Sequence, residues 1–184
     1  MKKKRVVLIL LCAVLAFGLF GLTGCGGSDP GNEEPNGSTE LEEKEYRITQ
    51  FFANEAYIAT GDEALEKFMV YESEMTSNPG DVYLDALELL KASPEEGYST
   101  VVTDQVKFND VYLEGDTVYV DLDSNGLNGG SLDEGFLISQ IVNTLINSFD
   151  EVKQVQFLVD GEVVESLMGH VGTADPFTKD VFTE

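Results

Sequence analysis

The chain has 184 residues, room for one modest domain with extra segments. Its 34 acidic against 11 basic residues give a net charge of -23, a surface that repels phosphate backbones and excludes nucleic acid as a natural partner. An apolar content of 42% excludes a chain that is disordered throughout.

The first segment, MKKKRVVLILLCAVLAFGLFGLTGC, opens with the basic residues Lys2, Lys3, Lys4 and Arg5 and continues as an apolar run from Val6 to Leu22. That order is the n-region and h-region of a secretory signal. Run length alone does not separate a signal from a membrane span. The residues that decide are Leu22, Thr23, Gly24 and Cys25, which resemble a bacterial lipobox. The resemblance implies cleavage just before Cys25 and lipidation of its thiol. The chemistry agrees, because small residues at 23 and 24 suit a peptidase site and a thiol at 25 can attack a lipid donor. Cys12 leaves with the signal and Cys25 becomes a thioether, so no thiol remains for a disulfide or a metal. Two acyl chains, at about 0.8 kcal/mol per buried methylene, hold a protein stably to a bilayer. The expectation is an extracytoplasmic lipoprotein on the outer face of the cytoplasmic membrane, with residues 1–24 as signal peptide.

Residues 25–44 then form the lipidated cysteine and an acidic linker of Gly, Pro, Ser, Asn and Glu with almost nothing apolar. Such a tether spans roughly 25 Å root-mean-square and does not pack.

The pattern becomes globular over 45–184. YRITQFFA alternates and predicts a strand, with Ile48 and Phe51 or Phe52 in the core. EAYIAT and EKFMVYESEM are read as further strands, with a helix over DEALEKFMVYESEM as the alternative and Phe68, Val70 and Tyr71 favouring the pleat. Asn78-Pro79 predicts the cap and first position of a helix whose face carries Val82, Ala86, Leu89 and Leu90 and which stops at Ser93-Pro94. QVKFNDVYL and TVYVDLD form a hairpin around Gly115, with Val118, Val120 and Leu122 on one face and Tyr119, Asp121 and Asp123 on the other. Tyr112 and Tyr119 are placed to pair across it.

The stretch that follows has the D-x-D-x-N-G order of a calcium loop in Asp121, Asp123, Asn125 and Gly126. Position 12 of such a loop is a bidentate glutamate, and here it is Leu132. A strand enters the loop instead of a helix, so the carboxylates are read as a strand's solvent face followed by turn residues. They remain weak metal candidates. A second helix is expected from a capping box of Ser131 and Glu134, with Leu132, Phe136, Ile141, Leu145 and Phe149 as its apolar stripe. A second hairpin is expected around Asp160-Gly161. The whole reads as an α+β domain: a small, mostly antiparallel sheet with two helices on one face.

Catalysis finds little to work with. The single histidine, His170, is read as satisfying loop backbone groups, and no G-x-S-x-G elbow is present. No enzyme activity and no cofactor are expected.

Ile141-Val142-Asn143-Thr144-Leu145, Val152 to Val155, Gln156-Phe157, Asp160-Gly161 and Gly169-His170 resemble the GerMN domain of sporulation and spore-germination proteins and other bacterial envelope lipoproteins. The resemblance implies a non-catalytic binding or assembly role outside the membrane. GerMN domains are similar to ring-building folds of sporulation secretion complexes, which implies docking or self-association. The function expected is therefore a lipid-anchored module for protein interaction in the envelope, linked to sporulation or germination. The alternative is an acidic lipoprotein that binds a cation or a cell-wall fragment.

Overall fold

A computed structural model describes residues 42–179. The expected signal peptide, the lipobox residues Leu22, Thr23 and Gly24, the lipidation site Cys25 and most of the linker lie outside the described residues. Among the described residues, no helix is long and apolar enough to cross a membrane.

The domain is α+β, with its strands divided between two three-stranded sheets. In the first, β1 (Lys44–Asn54) lies between β2 (Phe68–Ser77) and the two-residue β3 (Tyr98–Ser99), antiparallel to both. In β1, Ile48, Gln50 and Phe52 point inward, the period-2 pattern of a half-buried strand. In the second sheet, β4 (Phe108–Glu114) and β5 (Thr117–Leu122) form the expected hairpin, with Val118, Val120 and Leu122 fully buried. Tyr112 and Tyr119 stack across it with ring centroids 5.2 Å apart.

Four local expectations change. EAYIAT is helix α1 (Glu55–Thr60): the Asn54 side chain accepts from the Ala56 amide at 3.0 Å, and Gly61 closes the far end at φ 64°. A capping residue and a left-handed glycine outweigh a short apolar run. Helix α2 (Val82–Glu88) starts at Asp81, because Asn78-Pro79-Gly80 makes a turn closed by the Asp81 amide on the Asn78 carbonyl. Its buried face is Val82, Tyr83, Ala86 and Leu87, with Leu90 in the following turn and Leu89 only half-buried.

Helix α3 (Ser131–Ser148) is capped by Gly130, whose amide donates to Asp133 Oδ2 at 2.8 Å. Ser131 is its first residue, so the expected Ser131–Glu134 box does not form, and Leu132 is 53% exposed instead of joining the apolar stripe. The Asp160-Gly161 turn does form, with φ of 51° and 84°. Its return strand ends after Glu162, which pairs with Val159 in an isolated bridge.

β6 (Gln154–Val159) instead pairs parallel with β5, from Thr117↔Gln154 to Leu122↔Val159. Parallel strands need a crossover, and α3 supplies it, so β5-α3-β6 is a βαβ unit. Phe177 returns to bond Val155 on the open side of β6. One core joins both sheets, with Ile48 and Phe52 from the first, Val118, Val120 and Phe157 from the second, and Leu137, Ile138, Ile141 and Leu145 from α3.

Candidate functional site

Helix α3 is the element around which polar groups are arranged. Three of its side chains, Gln140, Thr144 and Ser148, recur every four residues and so share one face. That face lies along β1 where no strand pairs with it. The Thr49 amide donates to Ser148 Oγ at 3.0 Å, and the Phe51 amide donates to Thr144 Oγ1 at 3.1 Å. Gln140 Nε2 donates to the Phe51 carbonyl at 3.1 Å, while its Oε1 accepts from the Val101 amide at 2.9 Å. Buried backbone groups must be paired somewhere, and here a helix provides the partners that a fourth strand would have provided.

At the start of the same helix, Glu134 is fully buried. Its Oε1 accepts from the Ser166 hydroxyl at 2.7 Å and from the amides of Leu167 and Met168 at 2.9 and 2.8 Å. Its Oε2 accepts from the amides of His170 and Val171 at 2.8 and 3.1 Å. Burial alone pushes this carboxyl upward, but the Met168 amide, the Ser166 hydroxyl and the His170 and Val171 amides outweigh it and hold it below the ordinary glutamate value. Gly169, at φ 94°, allows the loop to bend so that amides on both sides of it face one carboxylate. His170 contributes its amide, and the residue is exposed.

The loop held by Glu134 ends at Val171, and Val171 is one wall of an apolar groove of about 200 Å³. Phe136 lines it, edge-on to Phe68 at 5.2 Å and to Tyr57 at 6.4 Å. Leu132 stands exposed at the mouth, and Lys67 is half-buried at the rim. Gly135 and Ser139 also line the groove. Ser139 is fully buried, and its hydroxyl is the sole buried side-chain polar atom without a hydrogen-bond partner among the described residues. The groove is therefore mostly apolar, with Ser131 and Lys67 as further polar members of its lining, the general form of a recognition site.

The acidic loop is organised differently. Asp121 Oδ1 accepts from the Gly161 amide at 2.9 Å, tying β5 to the Asp160-Gly161 turn. Asp123 Oδ1 accepts from the Asn125 amide and from Asn125 Nδ2, both at 2.7 Å, which caps a short turn over Ser124–Gly126. Hydrogen bonds from Ser124 and Asn109 hold the Asp160 carboxyl below its usual value. Gly126 is required here, since a Cβ would lie 2.0 Å from the Gln105 carbonyl oxygen. Among the described residues, no three His, Cys, Asp or Glu side chains are grouped to hold a metal ion.

Sequence reasoning placed the acids of this loop, gave Glu134 to a helix cap where it instead holds the 166–171 loop, and passed over Gly135, Ser139 and Gln140. The signals that could have found them are a run of polar residues at i, i+4, i+8 in an otherwise apolar helix, and a glycine inside it.

Residues 51–165 match the family described as Germane, of sporulation and spore germination. Solved structures of similar fold include the first GerMN domain of the sporulation protein GerM from Bacillus subtilis. It is 17% identical with a TM-score of 0.52, covering 73% of this chain and 96% of that one. The tandem GerMN domains of the same protein match with 18% identity and a TM-score of 0.51, covering 80% of this chain. The chain spans 49% of that tandem structure. A chain from Clostridium perfringens whose description proposes a lipoprotein is 17% identical with a TM-score of 0.48, over 73% of this chain and 88% of that one. No curated protein matches the sequence.

Proposed function

Because this chain belongs to the Germane family of sporulation and spore germination, we propose that it is a lipid-anchored, non-catalytic GerMN module that docks a protein partner outside the cytoplasmic membrane. The observation that carries the docking role is the groove on α3, an open apolar cavity with an exposed leucine at its mouth, on a surface otherwise rich in charge. Exposed apolar surface costs solubility and marks places where another molecule is received. The anchor rests on the residues Leu22-Thr23-Gly24-Cys25. The linker of residues 25–44 lets the domain stand off a bilayer whose anionic headgroups repel it.

Two measurements test this. Labelled fatty acid enters the wild-type protein and is lost in Cys25→Ala together with membrane retention; a Cys25→Ala protein that stays membrane-bound overturns the anchor. Cross-linking in cells followed by mass spectrometry yields a defined envelope or sporulation partner, or a second copy of the chain; a domain that captures nothing overturns the docking role.

A further inference from the structure

We propose that the free edge of β2 receives an extended, basic segment of the partner protein as an added strand. This rests on the docking role above. It adds a second surface, continuous with the groove through Phe68, and the chemistry of what lies on it.

The backbone register defines the edge. The Thr49 and Phe51 amides turn toward α3, where the Ser148 and Thr144 hydroxyls accept them. Their partners in the β1–β2 ladder are Glu72 and Val70. Along an antiparallel ladder, successive residues turn their amide and carbonyl alternately toward the neighbouring strand and away from it. Glu72 and Val70 therefore face away from β1, off the sheet. The same alternation turns out Glu74 and Thr76, which lie opposite Arg47 and Glu45. Among the described residues, no strand lies beyond β2. The Val70 carbonyl takes one long hydrogen bond, from the Tyr98 hydroxyl at 3.4 Å.

An edge of this kind is a template for pairing with another chain, and proteins blunt it with short strands, bulges, proline or charge. β2 runs for ten residues without a register shift, and it contains neither proline nor lysine. Its charged side chains are Glu72 and Glu74, both exposed on the same face as the exposed Val70. Neither is in an ion pair among the described residues, where the one such pair is Lys91 with Glu88. Protection by charge has a sign. Two glutamates repel an acidic strand and attract a basic one.

That sign opposes the nearest other occupants. If a second copy pairs through β2, two-fold registers centred on Glu72 or Ser73 use most of the strand. They set Glu72 opposite Glu72 or Glu74 of the other copy, and like charges directly opposite are destabilising. The chain's own linker, residues 25–44, is acidic as well. A basic segment meets no such penalty. Its main-chain bonds supply affinity, and its alternate side chains supply selectivity. Running antiparallel, the slightly more stable pairing, it sets one cation beside Glu74, a second beside Glu72 and an apolar side chain beside Val70. The order along the partner is cation-x-cation-x-apolar, and the next step leads to Phe68 and the groove.

The test uses the full chain in phosphatidylcholine nanodiscs, with empty nanodiscs as background. The probe is the capped peptide Thr-Lys-Thr-Lys-Thr-Val-Thr, compared with the same peptide carrying glutamate in place of both lysines. NMR titrations are expected to show the lysine peptide bound about 10-fold more tightly, a preference that high salt removes. Amide exchange at Val70, Glu72 and Glu74 is expected to be fast in the free protein and slowed by the probe. Methylating the backbone amides of the two lysines should abolish binding, whereas methylating that of the threonine between them should not. The double variant Glu72→Lys, Glu74→Lys should invert the preference. Equal binding of the two peptides overturns the proposal, as does binding that survives methylation at the lysines. Slow exchange at the three amides in the free protein also overturns it, since a second copy or the linker then covers the edge. Cross-linking in cells separates the two readings. A partner captured equally by wild type and the double variant overturns the edge and leaves the docking role intact. Capture lost in the double variant, with the wild-type cross-link mapped to a cation-x-cation-x-apolar segment, supports both.

Discussion

Glu134 and Ser139 stand on the same helix and are both fully buried, yet their surroundings differ completely. Glu134 has four amides and a hydroxyl aimed at it, while the Ser139 hydroxyl has nothing. A buried polar group that is left unmade costs about 1–3 kcal/mol, more if charged. The domain meets that cost in full at the carboxylate and leaves it standing a turn and a half away. The carboxylate side of α3 is therefore architecture, whereas the groove side carries an expense that the fold does not require.

Substitutions can break this contrast at either end. The largest effect is expected from Glu134→Ala, which strands the amides of the 166–171 loop and should lower unfolding stability in urea by about 3 kcal/mol or more. Hydrogen exchange in that loop should accelerate at the same time. The pH dependence has a definite sign. The folded carboxyl is held below the ordinary value of 4.5, so its contribution is present above that value and is lost as pH falls through the lower folded one. Glu134→Gln should flatten the acid limb of the stability profile, and an unchanged acid limb would show that the clamp does not control it.

Gln140→Leu comes next, at about 2 kcal/mol of destabilisation, because it leaves the Val101 amide and the Phe51 carbonyl without the partner they now have. Chemical denaturation of the variant checks it. The smallest effects are expected in the groove and with the opposite sign. Ser139→Ala removes an unpartnered hydroxyl and should stabilise by about 1 kcal/mol. Gly135→Ala should stabilise by about 0.8 kcal/mol, since the added methyl meets no neighbour. Both are read as a rise in melting temperature, and a fall for Ser139→Ala would show that the hydroxyl has a structural partner after all.

Much of the fold was legible because it follows from local pattern. Alternation in β1 and β5 and the Tyr112–Tyr119 pairing are short-range consequences of pleat and turn chemistry. The parallel pairing of β5 with β6 was missed because Asp160-Gly161 pointed to an antiparallel partner next in sequence, while the real neighbour lies across α3. The split into two sheets has the same origin. It depends on α3 occupying the side of β1 that would otherwise take a strand, through Gln140, Thr144 and Ser148. In a linear reading those residues resemble defects in an apolar stripe. The groove was invisible for a similar reason. Leu132 was assigned to the core from periodicity, and its exposure follows from the helix beginning at Ser131, capped by Gly130.

The polar face of α3 also sets the symmetry open to this domain. Over Thr49 to Asn54, one side of β1 is taken by the helix and by β3, so no further strand can pair with β1 there, and β2 is the long edge strand of the first sheet. Two copies joined along that edge would meet β2 against β2, a two-fold contact that occupies both β2 edges at once. With both β2 edges paired in this way, no third copy can add at either of them.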